Sequence, residues 1–477
     1  MKLSALPGLS IDKDFEISQL TDDTRQLQAG GVMVWDSRMA PKMTAKVLAE
    51  ARAKGAAAVI SDVREDGVIH TGNPGAVLAV YAAAMWPKQP EVMLGVTGTS
   101  GKTSVAWFGQ QMLAAAGYKG ASVGTLGTVR ESEIVGYSGY TSPAALTLHP
   151  MLQELAEDGV SHLVAEVSSH ALALGRMDGV RWRAAGITNV TQDHFDFHGS
   201  FENYMAAKAR LFTELLPEDG TAVVNIGRPE LWPLASLCKQ RGVHVLSVGT
   251  ANAELVVEVV AATAQGIEAK LKFDGTPVDV RLPLVGGFQA ENLAVSLGLL
   301  VAGGVPWEKA ARAAVAVSSV PGRMEMIVKE GRPTVLVDYA HKPDALARAL
   351  AAAKPLAEKA GGKLWVVVGC GGDRDATKRA PMGKIAAELA DVVVITDDNP
   401  RTEDPAPIRA EMVRGVESVG GTARNIGDRR EAIAAAIEGA APNDLIVVAG
   451  KGHEDGQIIG REVLPFDDRV VVREILG

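Results

Sequence analysis

Short runs of apolar residues recur along this chain, and helical segments separate most of them. The clearest runs lie in the last third of the sequence, at 334–338, 364–369, 391–396 and 445–450. Continuous apolar runs of this length are typical of strands buried on both faces, as in parallel sheets covered by helices. The pattern predicts an α/β protein, whose ligands would collect at the carboxyl ends of its strands.

Two breaks in this pattern predict three domains. Trp86-Pro-Lys-Gln-Pro90 resembles a linker, and Pro321-Gly322 marks the second break. Between them, strands and helices alternate along the chain. A stretch with period-two alternation near 254–284 then predicts hairpins. The predicted domains are a smaller N-terminal α/β domain, a central mostly parallel domain of the phosphate-loop type and a C-terminal Rossmann-like domain, at 1–88, 89–321 and 322–477.

A glycine-rich turn lies between an apolar run at 92–94 and a helical segment that follows Thr103. Strand, glycine-rich turn and helix form the context that a phosphate-binding loop requires. The glycines let backbone N–H groups approach phosphates, and the helix N-terminus favours negative charge. The glycines fall at 95, 98 and 101, so the spacing is a variant of the usual one. The candidate nucleotide contacts in this loop are Gly98, Thr99, Ser100, Gly101, Lys102, Thr103 and Ser104.

Polar residues follow six of the apolar runs, which is more than solvated turns explain. Since parallel strands end at one edge of a sheet, these residues are candidates for a common site. The six clusters begin at Glu166, Asp193, Asp338, Gly371, Asp397 and Gly450.

Composition excludes several classes of protein. The chain has 477 residues, 47% of them hydrophobic, and a formal net charge of -9, which argues against nucleic-acid binding. Two cysteines, Cys238 and Cys370, are too few for a disulfide or zinc framework. The N-terminus does not resemble a signal peptide, and no apolar run approaches the ~20 residues of a membrane span. We expect a cytoplasmic protein that binds small molecules, without a membrane or nucleic-acid partner and as a monomer.

Eight sequence blocks resemble those of the Mur ligases, the ATP-dependent amide-forming enzymes of peptidoglycan precursor synthesis, and within them the MurE type. The blocks run in family order across residues 91–477. The N-terminal part is less similar, although Asp23-Thr24-Arg25 resembles the family's Asp-Ser-Arg. The matching blocks are Thr97-Gly-Thr-Ser-Gly-Lys-Thr, Glu166-Val-Ser-Ser-His-Ala-Leu, Asp193-His-Phe-Asp-Phe-His, Gly322-Arg-Met-Glu, Asp338-Tyr-Ala-His, Gly371-Gly-Asp-Arg, Asp398-Asn-Pro-Arg and Gly450-Lys-Gly-His-Glu.

The resemblance implies a ligase that uses ATP and Mg²⁺, with catalytic roles for Lys102, Glu166, His194 and Lys208. The expected metal contacts are Thr103, Glu166, His194 and, if carbamylated to N6-carboxylysine, Lys208. The pattern alone would make Lys208 an ordinary lysine on a helix surface. The resemblance also implies further nucleotide contacts at Asn292, Arg323, Asp338 and His341, with the C-terminal domain closing over the nucleotide.

Two substrate sites follow from the same resemblance. The expected contacts to the UDP-linked substrate are Thr24, Thr141, Ser142, Ser168 and Arg176. The expected contacts to the added amino acid are Arg374, Asp398, Asn399, Arg401, Gly450 and Glu454.

Arg401 is the residue that predicts which amino acid is added. In MurE proteins that add meso-diaminopimelate, the Asp-Asn-Pro-Arg arginine binds the distal carboxylate, which its planar guanidinium matches with two hydrogen bonds. The implied reaction joins meso-diaminopimelate to UDP-MurNAc-L-Ala-D-Glu through an acyl phosphate. The alternatives are the same ligase using lysine or ornithine, a folylpolyglutamate-synthase-like ligase, and a nucleotide-binding relative without catalysis.

Overall fold

Apolar runs and helical segments alternate in the computed structural model as the sequence pattern predicts. The structure describes residues 1–11, 13–136, 139–263, 266–275 and 277–477, and it leaves aside the side chain of residue 196, which lies in the block that begins at Asp193. The described chain forms two compact units, of which the first comprises 1–257, 272–278 and 291–316. The second comprises 258–271, 279–290 and 317–477.

The N-terminal part of the first unit is a small parallel sheet with two helices. Its strand order is β1-β2-β3-β4, with neighbouring strands parallel. Leu20, Val32 and Ile60 are buried on one side of this sheet, and Met33 and Val59 pack in a second cluster. The elements are β1 (Leu20–Thr21), β2 (Val32–Trp35), α1 (Thr44–Ala53), β3 (Ala58–Ser61), β4 (Ile69–His70) and α2 (Pro74–Met85).

A larger sheet follows, and its centre positions the phosphate loop. In the order β13-β12-β11-β10-β5-β9-β6-β7-β8, the strands from β13 to β6 are parallel, whereas β7 and β8 are antiparallel additions. The central strand β5 is therefore buried between β10 and β9. The strands are β5 (Val92–Thr97), β6 (Gly120–Gly124), β7 (Gly127–Arg130), β8 (Glu133–Gly136), β9 (His162–Glu166), β10 (Trp182–Ile187), β11 (Thr221–Asn225), β12 (His244–Gly249), β13 (Leu255–Thr263), β14 (Gly266–Lys272) and β15 (Val278–Leu282).

Helices cover this sheet, and the hydrophobic core between them includes Met93, Leu163, Ile187 and Val224. The predicted hairpin region at 254–284 contains β13, β14 and β15. From this region to α9, consecutive stretches of the chain belong alternately to the first and the second unit. The helices are α3 (Lys102–Ala115), α4 (Ala145–Glu157), α5 (Ser169–Ala173), α6 (Phe195–His198), α7 (Phe201–Arg210), α8 (Trp232–Gln240), α9 (Phe288–Ala302) and α10 (Trp307–Ala313).

The second unit has a six-stranded sheet with the order β16-β17-β21-β18-β19-β20. Its strands are parallel except for the β16–β17 pair, and helices pack on both faces. A separate antiparallel hairpin, β22–β23, precedes the last helix. The elements are β16 (Glu325–Ile327), β17 (Thr334–Asp338), α11 (Pro343–Lys359), β18 (Leu364–Val368), α12 (Arg379–Leu389), β19 (Val392–Ile395), α13 (Pro405–Glu417), β20 (Ala423–Asn425), α14 (Arg429–Gly439), β21 (Leu445–Ala449), β22 (Gly456–Ile459), β23 (Glu462–Pro465) and α15 (Asp468–Leu476).

The predicted α/β fold class with mostly parallel sheets is confirmed. The domain limits at 88/89 and 321/322 stay a prediction. Across the described ranges, no helix combines the length and the apolar character needed to span a membrane.

Candidate functional site

The phosphate loop connects β5 to α3 at the centre of the large sheet. Gly101 is the residue before α3 and has a φ of 89°, in the left-handed region that favours glycine. The Lys102 ammonium donates to the carbonyl oxygens of Gly98 and Thr99, at 2.8 and 3.2 Å. The backbone N–H of Ser100 donates to Asn189 Oδ1, which holds the loop against the end of β10. The loop therefore places one cation and one helix N-terminus at the same point.

At two glycines of the loop, neighbouring side chains lie so close to the backbone that no Cβ would fit. A Cβ at Gly98 would lie 1.9 Å from Thr188 Oγ1, and a Cβ at Gly101 would lie 2.2 Å from Asn292 Oδ1. Asn292 is buried on α9 within the same unit. The predicted nucleotide residue Asn292 thus contacts the predicted loop.

Glu166 lies at the carboxyl end of β9, next to the start of α3. Its Oε2 accepts a hydrogen bond from the Thr103 hydroxyl at 2.9 Å, and its Oε1 accepts one from the Thr125 backbone N–H at 2.8 Å. A Cβ at Gly124 would lie 2.0 Å from Glu166 Oε1, so the end of β6 must be a glycine. The two predicted metal contacts, a hydroxyl and a carboxylate, are therefore adjacent.

The predicted contacts to the UDP-linked substrate extend from Glu166. Ser142 Oγ donates to the Glu166 carbonyl and accepts from the Ser168 N–H, each at 2.9 Å. Thr141 shares a hydrogen bond with Thr125, with a distance of 3.0 Å between the hydroxyl oxygens. These contacts bring Thr141, Ser142 and Ser168 together with the loop.

Lys208 is buried on α7, with 1% of its surface exposed. Its ammonium donates to the Gly98 carbonyl at 2.8 Å and lies 4.5 Å from the centre of the Tyr204 ring. Burial lowers the pKa of Lys208 well below its usual value, and the nearby Lys102 cation lowers it further. A lysine in this environment favours the neutral amine.

Tyr204 and His194 complete this side of the site. The Tyr204 hydroxyl is 3.0 Å from Thr99 Oγ1, and burial raises the pKa of Tyr204 to about 12. His194 has a φ of 54°, and its Nε2 lies 3.5 Å from Asp193 Oδ2. The His170 ring packs edge-on against His194, with 4.8 Å between ring centres. Among the described residues, no group of three or more His, Cys, Asp or Glu side chains is arranged to hold a metal ion.

Arg176 lines a pocket in the first unit. Asp22, Trp35 and Asp36 line the same pocket. Burial lowers the pKa of Arg176, and Asp22 and Asp36 partly oppose this effect. Thr24 is not among the lining residues, and its hydroxyl donates to Glu50 Oε2 at 2.9 Å. Arg176 thus lines this pocket, whereas the Thr24 hydroxyl is bound by Glu50 of α1.

In the second unit, Arg323, Asp338 and His341 form one cluster. The Arg323 guanidinium lies 4.3 Å from the centre of the Tyr339 ring. The Asp338 carboxylate accepts from the backbone N–H groups of Met324 and Ala340, at 2.7 and 2.9 Å. Burial raises the pKa of Asp338. His341 Nδ1 lies 2.9 Å from the Tyr339 carbonyl oxygen, and burial lowers the pKa of His341.

A second cluster of that unit contains Arg401, at the end of the segment that follows β19. Arg401 Nη1 donates to the Gly372 carbonyl at 2.8 Å. Asp373 accepts from the Thr402 backbone and hydroxyl, so the loop after β18 and the Arg401 loop are tied together. Arg374, the next residue, is exposed.

Asn399 and Glu454 lie beside this arginine loop. Asn399 Nδ2 donates to Glu454 Oε2 at 2.9 Å. Asp398 is buried, which raises its pKa, and a Cβ at Gly450 would lie 2.4 Å from Asp398 Oδ2. The structure therefore brings five of the six predicted amino-acid contacts into two adjoining loops and exposes the sixth, Arg374.

Sequence reasoning missed Thr125, Tyr204, Trp35 and Lys451. Thr125 follows an apolar strand, as the predicted clusters do, so its position was a usable signal. Tyr204 precedes Lys208 by one helical turn, the spacing at which side chains share a helix face. No sequence pattern indicated Trp35, whereas Lys451 lies in the polar cluster that begins at Gly450 but was not selected as a site residue.

Comparison with known proteins finds family matches across most of the chain. The family model of the Mur ligase middle domain matches residues 96–300, and that of the Mur ligase, glutamate ligase domain matches residues 322–452. Two relatives are named UDP-N-acetylmuramoyl-L-alanyl-D-glutamate–2,6-diaminopimelate ligase. The one from Bradyrhizobium diazoefficiens is 44% identical, covering 91% of this chain and 89% of its own. The one from Mesorhizobium japonicum is 40% identical, covering 100% and 99%.

Solved structures are also similar to this chain. A structure of a UDP-N-acetylmuramoyl-L-alanyl-D-glutamate–2,6-diaminopimelate ligase has a TM-score of 0.71 and 30% identity, covering 98% of this chain and 96% of its own. A folylpolyglutamate synthase from Thermotoga maritima has a TM-score of 0.63 at 19% identity, covering 79% and 90%. This second likeness supports the fold alone.

Proposed function

Because this chain belongs to the Mur ligase family, we propose that it joins meso-diaminopimelate to UDP-MurNAc-L-Ala-D-Glu and splits ATP into ADP and phosphate. The relatives described above are named as ligases of UDP-N-acetylmuramoyl-L-alanyl-D-glutamate and 2,6-diaminopimelate. The observation that carries the proposal for this chain is the amino-acid cluster, in which Arg401, Asn399 and Glu454 lie in adjoining loops.

The proposed reaction has two steps. A carboxylate oxygen of the D-glutamate attacks the terminal phosphorus of ATP, and the bond from that phosphorus to the ADP oxygen breaks. The amine nitrogen of the amino acid then attacks the acyl carbon, a C–N bond forms, and phosphate and a proton leave. Phosphorylation is needed because a free carboxylate is a poor acylating agent.

The phosphate loop supplies the charge for the first step. Lys102 binds the terminal phosphates in the proposed complex, where it neutralises charge on the transferring phosphoryl group. The loop N–H groups and the α3 N-terminus bind the same anion. The carbonyl oxygens of Gly98 and Thr99 hold the Lys102 ammonium at the loop, so it needs only a short movement to reach a phosphate.

The side chains beside the loop suit Mg²⁺. Thr103 Oγ1 and Glu166 Oε2 are 2.9 Å apart, and hydroxyl and carboxylate oxygens are the donors that this hard cation prefers. Thr103 and Glu166 would hold the ion, with His194 nearby as the residue of a second site. When bound, Mg²⁺ supplies positive charge to the phosphate oxygens.

Lys208 would serve this site as N6-carboxylysine. A lysine must lose its proton before its nitrogen attacks carbon dioxide, and the lowered pKa of Lys208 favours that neutral amine. The product carries a negative charge where the free lysine carried a positive one. The nearby Lys102 cation would stabilise that charge.

The UDP-linked substrate would contact Thr141, Ser142, Ser168 and Arg176. Their support is the hydrogen-bond network around Glu166 and the pocket that Arg176 lines. Thr24 stays a prediction for this substrate. Arg323, Asp338 and His341 likewise stay predictions for the nucleotide.

We infer also that the protein acts as a cytoplasmic monomer on these small molecules. The location and the monomeric state stay predictions from the sequence. The net charge of -9 supports the absence of a nucleic-acid partner.

The function is tested by phosphate release from purified protein with ATP, Mg²⁺ and UDP-MurNAc-L-Ala-D-Glu. Meso-diaminopimelate, lysine and ornithine are offered separately. We expect turnover with diaminopimelate alone, and its loss in Lys102→Ala but not in Lys88→Ala, an exposed lysine paired with Glu157. Turnover with lysine or ornithine instead would retain the ligase and reject its proposed amino acid. No turnover with any of the three would reject the function.

Arg401→Ala tests the amino-acid site. Removing a guanidinium that binds a desolvated carboxylate costs about 2–5 kcal/mol, which corresponds to about 30-fold or more in affinity. We expect the KM for diaminopimelate to rise by that factor while the KM for ATP changes little. Equal changes in both constants would remove Arg401 from the amino-acid site.

A further inference from the structure

Lys451 is a fully buried lysine in the loop that follows β21. Its side chain has 0% of its surface exposed. The ammonium donates to three oxygens, Asn399 Oδ1 at 3.1 Å, Glu454 Oε2 at 3.2 Å and the Gly456 carbonyl at 2.6 Å. Removing an ammonium from water is costly unless its protons are bound, and here each of its three protons has an oxygen.

The first of these contacts orients the Asn399 amide. Asn399 Oδ1 accepts from Lys451 and also from the Ile458 backbone N–H at 2.9 Å. With the oxygen bound by two donors, the amide nitrogen faces Glu454 and donates to it at 2.9 Å. A flipped amide would place its NH₂ group against the Lys451 ammonium, so only one orientation is stable.

The second contact orients the Glu454 carboxylate. Its Oε2 accepts from both Lys451 and Asn399, and 34% of the Glu454 side chain is exposed. Both of these hydrogen bonds go to Oε2, and no described residue donates to Glu454 Oε1. This second oxygen can therefore accept a hydrogen bond from a substrate. A carboxylate fixed at one oxygen presents the other in a defined direction.

The third contact joins this pair to the hairpin β22–β23. Gln457 Nε2 donates to the Asp398 carbonyl at 2.7 Å. Arg401 N–H donates to the Ile458 carbonyl at 3.0 Å, and Gly460 N–H donates to the Arg401 carbonyl at 2.7 Å. The hairpin thus supports the loop that carries Arg401, and Lys451 connects the hairpin to Asn399 and Glu454.

We propose that Lys451 is a positioning residue that fixes Glu454 Oε1 to receive the ammonium of the distal amino-acid head of the substrate. The inference rests on the proposed function, since it assumes a substrate with such a head. Arg401 would bind the distal carboxylate, and the Glu454 carboxylate held by Lys451 would bind the ammonium beside it. A supporting contact of this kind holds a binding side chain in its productive geometry.

The test compares meso-diaminopimelate with 2-aminopimelate, which lacks only the distal ammonium. The kcat/KM for each is measured with wild type and with Lys451→Met, which keeps the length of the side chain and removes its charge. We expect the wild-type preference for diaminopimelate to fall at least tenfold in Lys451→Met, with the KM for ATP unchanged. The matched control is Lys354→Met, whose lysine pairs with Asp391 on the same unit and should leave the preference unchanged.

Each outcome decides the inference. A loss of rate that is equal for both substrates would assign Lys451 a structural role only and overturn the proposal. If Lys451→Met does not fold, it is replaced by Lys451→Gln, whose side chain is one atom shorter, uncharged and has two N–H donors in place of three. An unchanged preference in that variant also overturns the proposal. A wild type that ligates neither compound would refute the proposed function itself, whereas an active wild type with an unaltered Lys451→Met refutes this inference alone.

Discussion

Lys208 illustrates at the residue scale how burial changes the chemistry of a side chain. The sequence pattern alone made it an exposed helix lysine, but α7 buries it beside the phosphate loop with 1% of its surface exposed. Burial lowers its pKa well below 10.5. Between the two pKa values the unfolded chain binds more protons, so this lysine destabilises the folded protein increasingly as the pH falls from about 10.5.

Lys208→Met should therefore be more stable than wild type by an amount that depends on pH. The gain in unfolding free energy should be small near about pH 10 and larger near about pH 7. The reason is that Lys208 of the wild type is protonated in the unfolded chain at the lower pH, and burying it then costs free energy that methionine does not incur. Urea unfolding at both pH values, in buffer free of carbon dioxide, measures the difference. Lys88→Met, at an exposed site, should show no such dependence. An equal gain at both pH values would contradict the argument.

At the element scale, the end of β6 determines the position of Glu166. Gly124 leaves no room for a side chain, since a Cβ there would lie 2.0 Å from Glu166 Oε1. The contact is between β6 and β9, which are neighbouring parallel strands of the sheet, and neither strand can shift without breaking the hydrogen bonds between them. A glycine distant from the loop in sequence thus controls the carboxylate beside Thr103.

Gly124→Ala should displace the Glu166 carboxylate. We expect a loss of about 1–3 kcal/mol in the free energy of unfolding, as for overpacked sites, and a larger fractional loss of turnover. Gly136→Ala is the matched control, because that strand glycine has its nearest neighbouring atom at 3.9 Å. The measurements are urea unfolding and phosphate release. Full activity in Gly124→Ala would show that Glu166 does not need this position.

The helices α14 and α15 are joined by a buried ion pair near their first residues. Arg429 and Asp468 each have 0% of their side chains exposed, and two hydrogen bonds of 2.7 Å connect them. Asp468→Asn should cost about 3–5 kcal/mol of unfolding free energy, because it leaves a buried cation without its charge partner. The exposed pair Arg430–Glu474 provides the control, and Glu474→Gln should cost at most about 1 kcal/mol. Similar costs for both variants would refute this distinction.

At the scale of the whole molecule, each of the two compact units has its own hydrophobic core. Units with separate cores often unfold in separate steps. We expect calorimetry to show two transitions, of which Asp468→Asn lowers only the one that belongs to the second unit. A single transition that shifts as a whole in this variant would show that the chain unfolds as one cooperative block.

Much of this molecule could be predicted from its sequence. The strands β17, β18, β19 and β21 match their apolar runs within one residue at each end, and β5 extends three residues beyond its run at 92–94. The glycine-rich turn lies between a strand and a helix as expected. These features could be predicted because apolar runs and glycine positions determine the local backbone conformation within a few residues along the chain.

The amino-acid sequence by itself determined the fold class, the phosphate loop and the polar strand ends. Only the tertiary structure decided that Lys208 and Lys451 are buried, that Gly124 meets Glu166, and that a hairpin supports Arg401. Each of these contacts joins residues that are distant along the chain, in the case of Gly124 and Glu166 on different strands. Burial and close approach arise from the packing of whole elements, and the periodicity of any single segment contains no information about them.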